Sequence, residues 1–163
     1  MLFRSLAFTC FVLAIGVAPA ATWFRVLRMI GVVGIALTFI VFQVALRDLY
    51  DLTGQAAFCD FMLHTLSPIL GVAGWLVFGT RGQTSVAVVL WTTAYVAAYG
   101  LFSMIRGAIV DFYPYPFMDA QTHGYPRVIV NLILVALVFF ALGFGAHALD
   151  SRLARRRAPA MHR

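Results

Sequence analysis

Long uninterrupted runs of apolar residues, separated by short polar segments, dominate the sequence. The five runs cover residues 2–20, 29–46, 61–78, 85–105 and 128–148. Each is close to the roughly 20 residues that an α-helix needs to cross the hydrocarbon core of a bilayer, which is about 30 Å thick. Lipid cannot satisfy exposed backbone N–H and C=O groups, so runs of this length favour helices. The pattern therefore predicts an all-α integral membrane protein, a bundle of five transmembrane helices.

Glycines, prolines and charged residues mark the breaks between these runs. The segment 48–60 contains Leu-Thr-Gly, the segment 79–82 reads Gly-Thr-Arg-Gly, and the segment 107–126 contains three prolines. Such residues are typical of turns and loops. A connection as long as 107–126 without an obvious helix is more often functional than idle.

Composition excludes a soluble fold. Of the 163 residues, 63% are hydrophobic and only 11% are charged, against about 45–50% and about 25% in soluble domains. So few polar residues cannot cover a core with a water-facing shell, and lipid must supply most of the solvent. The length leaves room for one bundle, and we expect a single transmembrane domain over 1–163.

Positive charge is concentrated at the C-terminal end of the chain. The formal net charge is +6, and all 12 basic residues are arginine. Five of them lie in the last dozen residues, namely Arg152, Arg155, Arg156, Arg157 and Arg163. A basic cluster beside a membrane span indicates a cytoplasmic anchor against anionic lipid, and we do not expect nucleic-acid binding.

The distribution of arginine also predicts the orientation. With five alternating spans and a cytoplasmic tail over 150–163, eight arginines lie inside and four outside. The positive-inside rule then places the N-terminus outside the cell and the C-terminus in the cytoplasm, for a protein integral to the cell (inner) membrane.

The first apolar run has a second interpretation. Arg4, the apolar stretch and the ending Ala18-Pro19-Ala20 resemble a secretory signal with a small-residue cleavage site. A retained helical hairpin is favoured, because the run begins almost at Met1 and the next run follows a short linker over 23–28. Cys10 lies within an apolar run and Cys59 in a predicted loop, so no disulfide is expected, and no Cys-x-x-Cys motif indicates a metal or redox site.

His64 and Asp60 are the clearest candidates for chemistry. A spacing of four residues places both side chains on one face of a helix. The carboxylate can then hold the imidazole in one tautomer and raise its basicity. Alternatively, Asp60 is a helix N-cap or first-turn acid and His64 an interfacial histidine. Ionisable groups near membrane depth are costly and often functional, and both interpretations stay open.

The segment after the fourth run alternates tyrosine with proline. This pattern predicts a stiff, extended turn whose rings lie at the level of the lipid headgroups. It is either a lid over a substrate or an aromatic belt with paired arginine and aspartate, and Asn131 is expected to hold it by a hydrogen bond. The residues expected to contact substrate or form the lid are Tyr113, Tyr115, Phe117, Asp119, Arg106 and Asn131.

A hydroxyl nucleophile has to lie at the depth of His64, and Thr9 is the best-placed threonine in the predicted topology. The alternative is that Thr9 bonds back to its own helix. The potential zinc ligands Asp60, His64, Asp119 and His123 match no known ligand spacing, so neither a metal nor another cofactor is predicted.

Several motifs together resemble the bacterial Pr-six-Pr membrane proteins. They are Leu-Arg-Asp-Leu-Tyr-Asp at 46–51, Leu-His-Thr-Leu-Ser-Pro at 63–68, Phe-Gly-Thr-Arg-Gly at 78–82, Arg106-Gly107, Tyr-Pro-Tyr-Pro-Phe-Met-Asp at 113–119, Gly124-Tyr125 and Asn131. The resemblance covers about residues 26 to 150. These proteins look like relatives of the eukaryotic androgen-induced, ADTRP-type proteins, membrane-embedded hydrolases that cleave esters of hydroxy fatty acids with a threonine and a histidine.

The resemblance implies a role for particular residues. His64 falls on the histidine position and Thr9 is nearest to the threonine position, although the register can equally place Ala7 there. The family usually has one more helix before this region. The resemblance thus implies a hydrolase in which Thr9 attacks the ester, His64 accepts its proton and Asp60 orients the imidazole.

Two other classes compete with this hydrolase. One is a non-catalytic membrane component that is structural or binds lipid or a partner protein. The other is a small-solute carrier, which the lack of a detectable internal repeat and of mid-membrane charge pairs disfavours. Membrane lipid and a lipid ester are the expected ligands. A homo-oligomer is compatible with the sequence, which does not specify one.

Overall fold

The computed structural model of the protein describes residues 2–16, 21–47, 49 and 51–157. All regular elements in this part of the chain are helical. They are α1 (Leu2–Ala14), α2 (Thr22–Val41), α3 (Gly54–Phe61), α4 (Ser67–Phe78), α5 (Val86–Val110), α6 (Ala120–His123) and α7 (Tyr125–Arg157). Two π-helical turns, π1 (Phe42–Leu46) and π2 (Met62–Leu66), extend α2 and join α3 to α4.

Four continuous helices are long and apolar enough to cross a membrane. They cover Thr22–Leu46, Gly54–Phe78, Val86–Val110 and Tyr125–Arg156. The first three have 25 residues each, or about 38 Å at 1.5 Å per residue, against a hydrocarbon core of about 30 Å. The chain is therefore compatible with a multi-pass membrane protein, as its composition predicts.

The expected fifth span is not confirmed. Helix α1 has 13 residues and is about 20 Å long, which is too short to cross the hydrocarbon core. Part of the predicted run 2–20, including Ala18-Pro19-Ala20, lies outside the described residues. The predicted orientation depends on an odd number of spans and stays a prediction.

The helices extend beyond the apolar runs into the polar segments. Arg25 and Arg28, expected in a linker over 23–28, belong to α2. Residues 150–157, expected in a basic tail, continue α7, and the rest of that tail lies outside the described residues. Apolar runs underestimate helices of this kind because the polar residues at their ends reach headgroups or neighbouring polar groups without ending the helix.

Helix α2 lies at the centre of the bundle, in contact with α1, α4, α5 and α7. Its side chains Met29 and Val33 pack with Val88 and Val89 of α5 and with Phe139 of α7. Helix α1 approaches α2 closely at Gly31, where a Cβ atom would lie 3.1 Å from the Cα of Leu6. A glycine at such a crossing lets two helix backbones come together.

The outer surface of the bundle is apolar, unlike that of a soluble protein. Large apolar side chains such as Phe78, Trp91 and Ile109 are exposed on the outside of the bundle. The buried polar and charged residues in the described part of the chain are Thr9, Arg28, Thr92, Ser103 and Asp150. This arrangement is the one that a hydrocarbon solvent favours.

The bundle has two chemically distinct ends. Arg28 of α2 bonds to Thr80, which follows α4, at 2.6 Å, and Thr84, which precedes α5, bonds to Asp150 of α7 at 2.9 Å. We call this the arginine end. Phe42 stacks on His64 near the opposite end of α2, which we call the histidine end. Helix α5 runs from the arginine end to the histidine end. The loop over 111–119 that follows it, which we call the tyrosine–proline loop, therefore lies at the histidine end.

Candidate functional site

Asp60 and His64 form a direct pair. Their atoms Oδ1 and Nδ1 are 2.8 Å apart, and the side chains are 25% and 36% exposed. The helix begins at Gly54, with Thr53 as its N-cap, so Asp60 is neither an N-cap nor a first-turn acid. The N-cap or first-turn interpretation of Asp60 is wrong because the helix begins earlier than the apolar run. With Nδ1 donating to the carboxylate, Nε2 is the ring nitrogen free to accept a proton.

Two π-helical turns meet at this pair. The Phe42 ring of π1 is stacked on the imidazole of His64 in π2, with centroids 4.6 Å apart and planes 10° apart. Gln43 Nε2 of π1 donates to Thr65 Oγ1 of π2 at 3.1 Å. Segments of π-helix are rare and are found frequently at functional sites. The Asp60–His64 pair therefore lies in a locally specialised part of two adjacent helices.

Sequence reasoning missed the residues of π1 that contact His64 and Thr65. Gln43 is an amide within an otherwise apolar run, and a buried amide without a partner is costly, so its presence was the available signal. Arg47 Nη1 also donates to Gln43 Oε1, at 3.2 Å. Phe42 has no such signal, since an aromatic residue in an apolar run is ordinary.

Thr9 lies away from His64. It is fully buried, and its hydroxyl donates to the carbonyls of Ser5 and Leu6 at 2.9 and 3.0 Å. This is the back-bonding that the sequence left as the alternative.

The crossing of α1 and α2 fixes the level of Thr9 along the bundle. Leu6 lies against Gly31, and the two helices are consecutive and antiparallel, so Thr9 is at the level of Arg28. His64 is at the level of Phe42, which is farther along α2 by about 21 Å at 1.5 Å per residue. The structure therefore does not bring the expected nucleophile to the expected base, and Ala7 shares the short helix of Thr9.

The tyrosine–proline loop is folded rather than extended. Asp111 ends α5 in a left-handed conformation with φ of 52°, and Pro116–Met118 form a 3₁₀ turn. Asn131 Nδ2 donates to the carbonyl of Phe117 at 2.9 Å, which is the hydrogen bond expected from the sequence. Met118 is buried with Val128 in a small apolar cluster beneath the loop.

The aromatic rings of the loop pack on one another and on α5. Tyr115 stacks on Phe117 with centroids 5.3 Å apart, and the ring of Tyr113 covers Gly107. The Arg106 guanidinium lies over Phe112 at 5.6 Å, which is a cation–π contact in place of the expected arginine–aspartate pair. The loop contacts α7, whereas Asp60 and His64 lie on the helix that packs against α2.

An open cavity of about 430 Å³ lies within the loop. Its lining combines Asp111 and Asp119 with the rings of Phe112, Tyr113 and Tyr115. Burial raises the pKa of Tyr115, and its phenol therefore stays protonated at neutral pH.

Asp119 is the N-cap of α6. Its Oδ1 accepts from the backbone N–H of Gln121 at 2.9 Å, and its Oδ2 accepts from the Thr122 hydroxyl at 2.7 Å. The hydrogen bonds from Thr122 lower the pKa of Asp119 below its ordinary value of 3.8. The carboxylate is therefore held in its charged form by the helix that it caps.

Because Asp119 caps α6, we expect the tyrosine–proline loop to lose order in acid. Because the pKa of Asp119 is lower in the folded loop than in the unfolded chain, the cap stabilises α6 fully above pH 3.8 and loses its effect as the pH falls through the folded value. Amide hydrogen exchange at Gln121 and Thr122, corrected for the intrinsic pH dependence, should accelerate in that range. In Asp119→Ala, exchange should be fast at every pH; protection in that variant equal to that of the wild type would contradict the prediction.

The described part of the chain contains no group of three His, Cys, Asp or Glu residues placed to hold a metal ion. Comparison with protein-family models, with curated proteins and with solved structures finds no match to the chain.

Proposed function

We propose that this multi-pass membrane protein hydrolyses a lipid ester, with His64 as the general base and Asp60 as the residue that orients it. The observation that carries the proposal is the 2.8 Å contact between Asp60 Oδ1 and His64 Nδ1. A carboxylate on one imidazole nitrogen prepares the other for proton transfer and stabilises the imidazolium that forms.

The position of Thr9 rules against it as the nucleophile that attacks the ester. Thr9 is at the level of Arg28, so we assign the attack to water rather than to a side-chain hydroxyl. His64 Nε2 takes a proton from the water as its oxygen bonds to the ester carbonyl carbon. The tetrahedral intermediate then expels the alkoxide, which takes the proton from the imidazolium. The products are a carboxylic acid and an alcohol, and no cofactor is required.

The surroundings of the pair support a lipid as the substrate. Leu63 and Phe61, next to His64, are each about half exposed on the outside of the helix, where hydrocarbon chains can pack. A substrate with a long acyl chain can therefore approach from the lipid. The resemblance to the Pr-six-Pr and androgen-induced proteins supports an ester of a hydroxy fatty acid, and the lid role of the tyrosine–proline loop belongs to the same proposal.

Release of fatty acid from a hydroxy-fatty-acid ester in detergent micelles tests this function. His64→Ala should lower the rate at least about 100-fold, and Asp60→Asn should lower it without abolishing substrate binding. His123→Ala, which removes an exposed imidazole from α6 at the same end of the bundle, is the matched control.

A non-catalytic role is the second candidate, and the separation of Thr9 from His64 favours it. In that role the Asp60–His64 pair, Phe42 and Gln43 only hold α2 against the neighbouring span. His64→Ala would then lower the unfolding temperature, and the wild type would release no fatty acid. Turnover unaffected by His64→Ala would instead contradict the assignment of the base.

A further inference from the structure

The arginine end of the bundle holds a second polar cluster, which the proposed hydrolysis does not use. Arg25 and Arg28 come from the first turns of α2, Arg81 from the turn after α4, and Asp150 from α7. Arg28 is 7% exposed and Asp150 is 1% exposed. Charged groups buried within membrane-spanning helices are expensive, and they mark functional sites more often than structural ones.

One carboxylate oxygen of Asp150 accepts hydrogen bonds and the other does not. Its Oδ2 accepts from the Thr84 hydroxyl at 2.9 Å and from the Thr84 backbone N–H at 3.2 Å. Because that hydroxyl donates to Asp150, it accepts from His147 Nδ1, which is 2.9 Å away. The other oxygen, Oδ1, is buried and has no hydrogen-bond partner. A buried carboxylate oxygen in this state requires a donor from outside the protein.

Several donors of the arginines, in contrast, lack hydrogen-bond acceptors. Arg28 Nη1 donates to Thr80 Oγ1 at 2.6 Å, but Arg25 Nε and the atoms Nε and Nη1 of Arg81 are buried without partners. Arg81 Nη2 donates to the Leu76 carbonyl, and the guanidinium lies over the Trp75 ring at 5.4 Å. Three guanidinium groups against one carboxylate leave a surplus of positive charge and of unpaired donors, which an anion satisfies.

A small cavity lies among these groups. Its lining includes Arg25, Arg28, Trp75, Thr80, Gln83 and Asp150, and its volume is about 10 Å³. This is about the space of one water molecule. A single oxygen atom of an anion therefore fits inside, while the rest of the group lies at the mouth.

We propose that this arginine pocket, comprising Arg25, Arg28, Thr80, Gln83 and Asp150, binds a phosphate group that carries or adjoins a hydroxyl. Guanidinium groups match phosphate oxygens in geometry as well as in charge. The adjoining hydroxyl supplies the donor that Asp150 Oδ1 lacks. Two sources present this chemistry, a phosphatidylglycerol headgroup and free inorganic phosphate in its protonated form. Basic pockets between membrane helices are typical sites for anionic headgroups.

Thermal unfolding of the full chain tests the proposal. The purified protein is measured in phosphatidylcholine nanodiscs, in the same nanodiscs with phosphatidylglycerol, and in phosphatidylcholine nanodiscs with added inorganic phosphate. A ligand that binds only the folded state raises the unfolding temperature. A rise with phosphatidylglycerol alone identifies the lipid as the source, and a rise with inorganic phosphate identifies the free ion.

Variants locate the site. Arg28→Gln and Arg25→Gln should each weaken the binding about tenfold or more, as expected for a charge-assisted hydrogen bond. Arg25 lines the cavity and is only partly buried, so Arg25→Gln tests the proposal even if Arg28→Gln does not fold. Arg127→Gln, an exposed arginine at the histidine end, is the matched control and should bind normally. The proposal is overturned if neither ligand raises the unfolding temperature, or if all three variants respond as the wild type does.

Discussion

Replacing Gly79 by alanine is expected to lower the unfolding temperature of the protein in detergent by several degrees. Gly79 follows α4, and its N–H donates to the Trp75 carbonyl at 3.0 Å. A Cβ atom at Gly79 would overlap that same carbonyl oxygen and would lie 3.2 Å from Arg28 Nη2. The obstacle is backbone, so the end of α4 has to shift. Overpacking of this kind costs about 1–3 kcal/mol, and each kcal/mol corresponds to about 2–4 °C in a chain of this size.

Gly74 provides the control for this change. It lies in the same helix, and a Cβ atom there would meet no atom within 4 Å. Gly74→Ala should therefore leave the unfolding temperature unchanged or raise it, because alanine is the better helix former. Equal unfolding temperatures for the two variants would show that the carbonyl of Trp75 does not constrain residue 79.

Replacing Gly107 by alanine is expected to release the tyrosine–proline loop. The ring of Tyr113 packs directly on Gly107, and a Cβ atom there would overlap three ring atoms. The ring has to leave this position, and the loop loses its attachment to α5. At about 1–3 kcal/mol, the population of the open loop should rise at least about fivefold. Cleavage by chymotrypsin after Phe112 and Phe117 measures that population.

Gly100 in the same helix is the matched control for the loop. A Cβ atom there would lie 3.6 Å from Leu132 Cδ2, an ordinary contact, so Gly100→Ala should be cleaved at the wild-type rate. Unchanged cleavage in Gly107→Ala would show that Asn131 and Met118 alone hold the loop. If the loop is a lid, Gly107→Ala should also raise the KM for a lipid ester.

Local features of the site were predictable from the sequence. The Asp60–His64 contact depends only on the geometry of one helix, so a spacing of four residues was sufficient to predict it. The bond from Asn131 to the loop was likewise suggested by a polar residue one turn into an apolar helix. The positions of the four long helices follow from the apolar runs, although their ends do not.

Features that depend on how helices are placed against one another were not predictable. Thr9 was expected near His64 because the first run was taken as a full span, whereas the crossing at Gly31 places it at the opposite level. Arg28 and Asp150 were assigned to a linker and a tail, and only the folded chain brings their helices together. The π turns have no distinct sequence pattern, since their hydrogen bonding differs from that of an α-helix by a single residue.

That single residue has a geometric consequence. An α-helix turns by about 100° per residue, so one inserted residue rotates every later side chain by about that angle around the axis. Each of the two adjacent spans carries one such insertion, at Phe42–Leu46 and at Met62–Leu66. The face that a span turns towards the bundle centre at one end is therefore out of phase with the face it presents at the other, without a proline in either π turn. One π turn in each span is enough to create two differently facing halves on an unbroken helix.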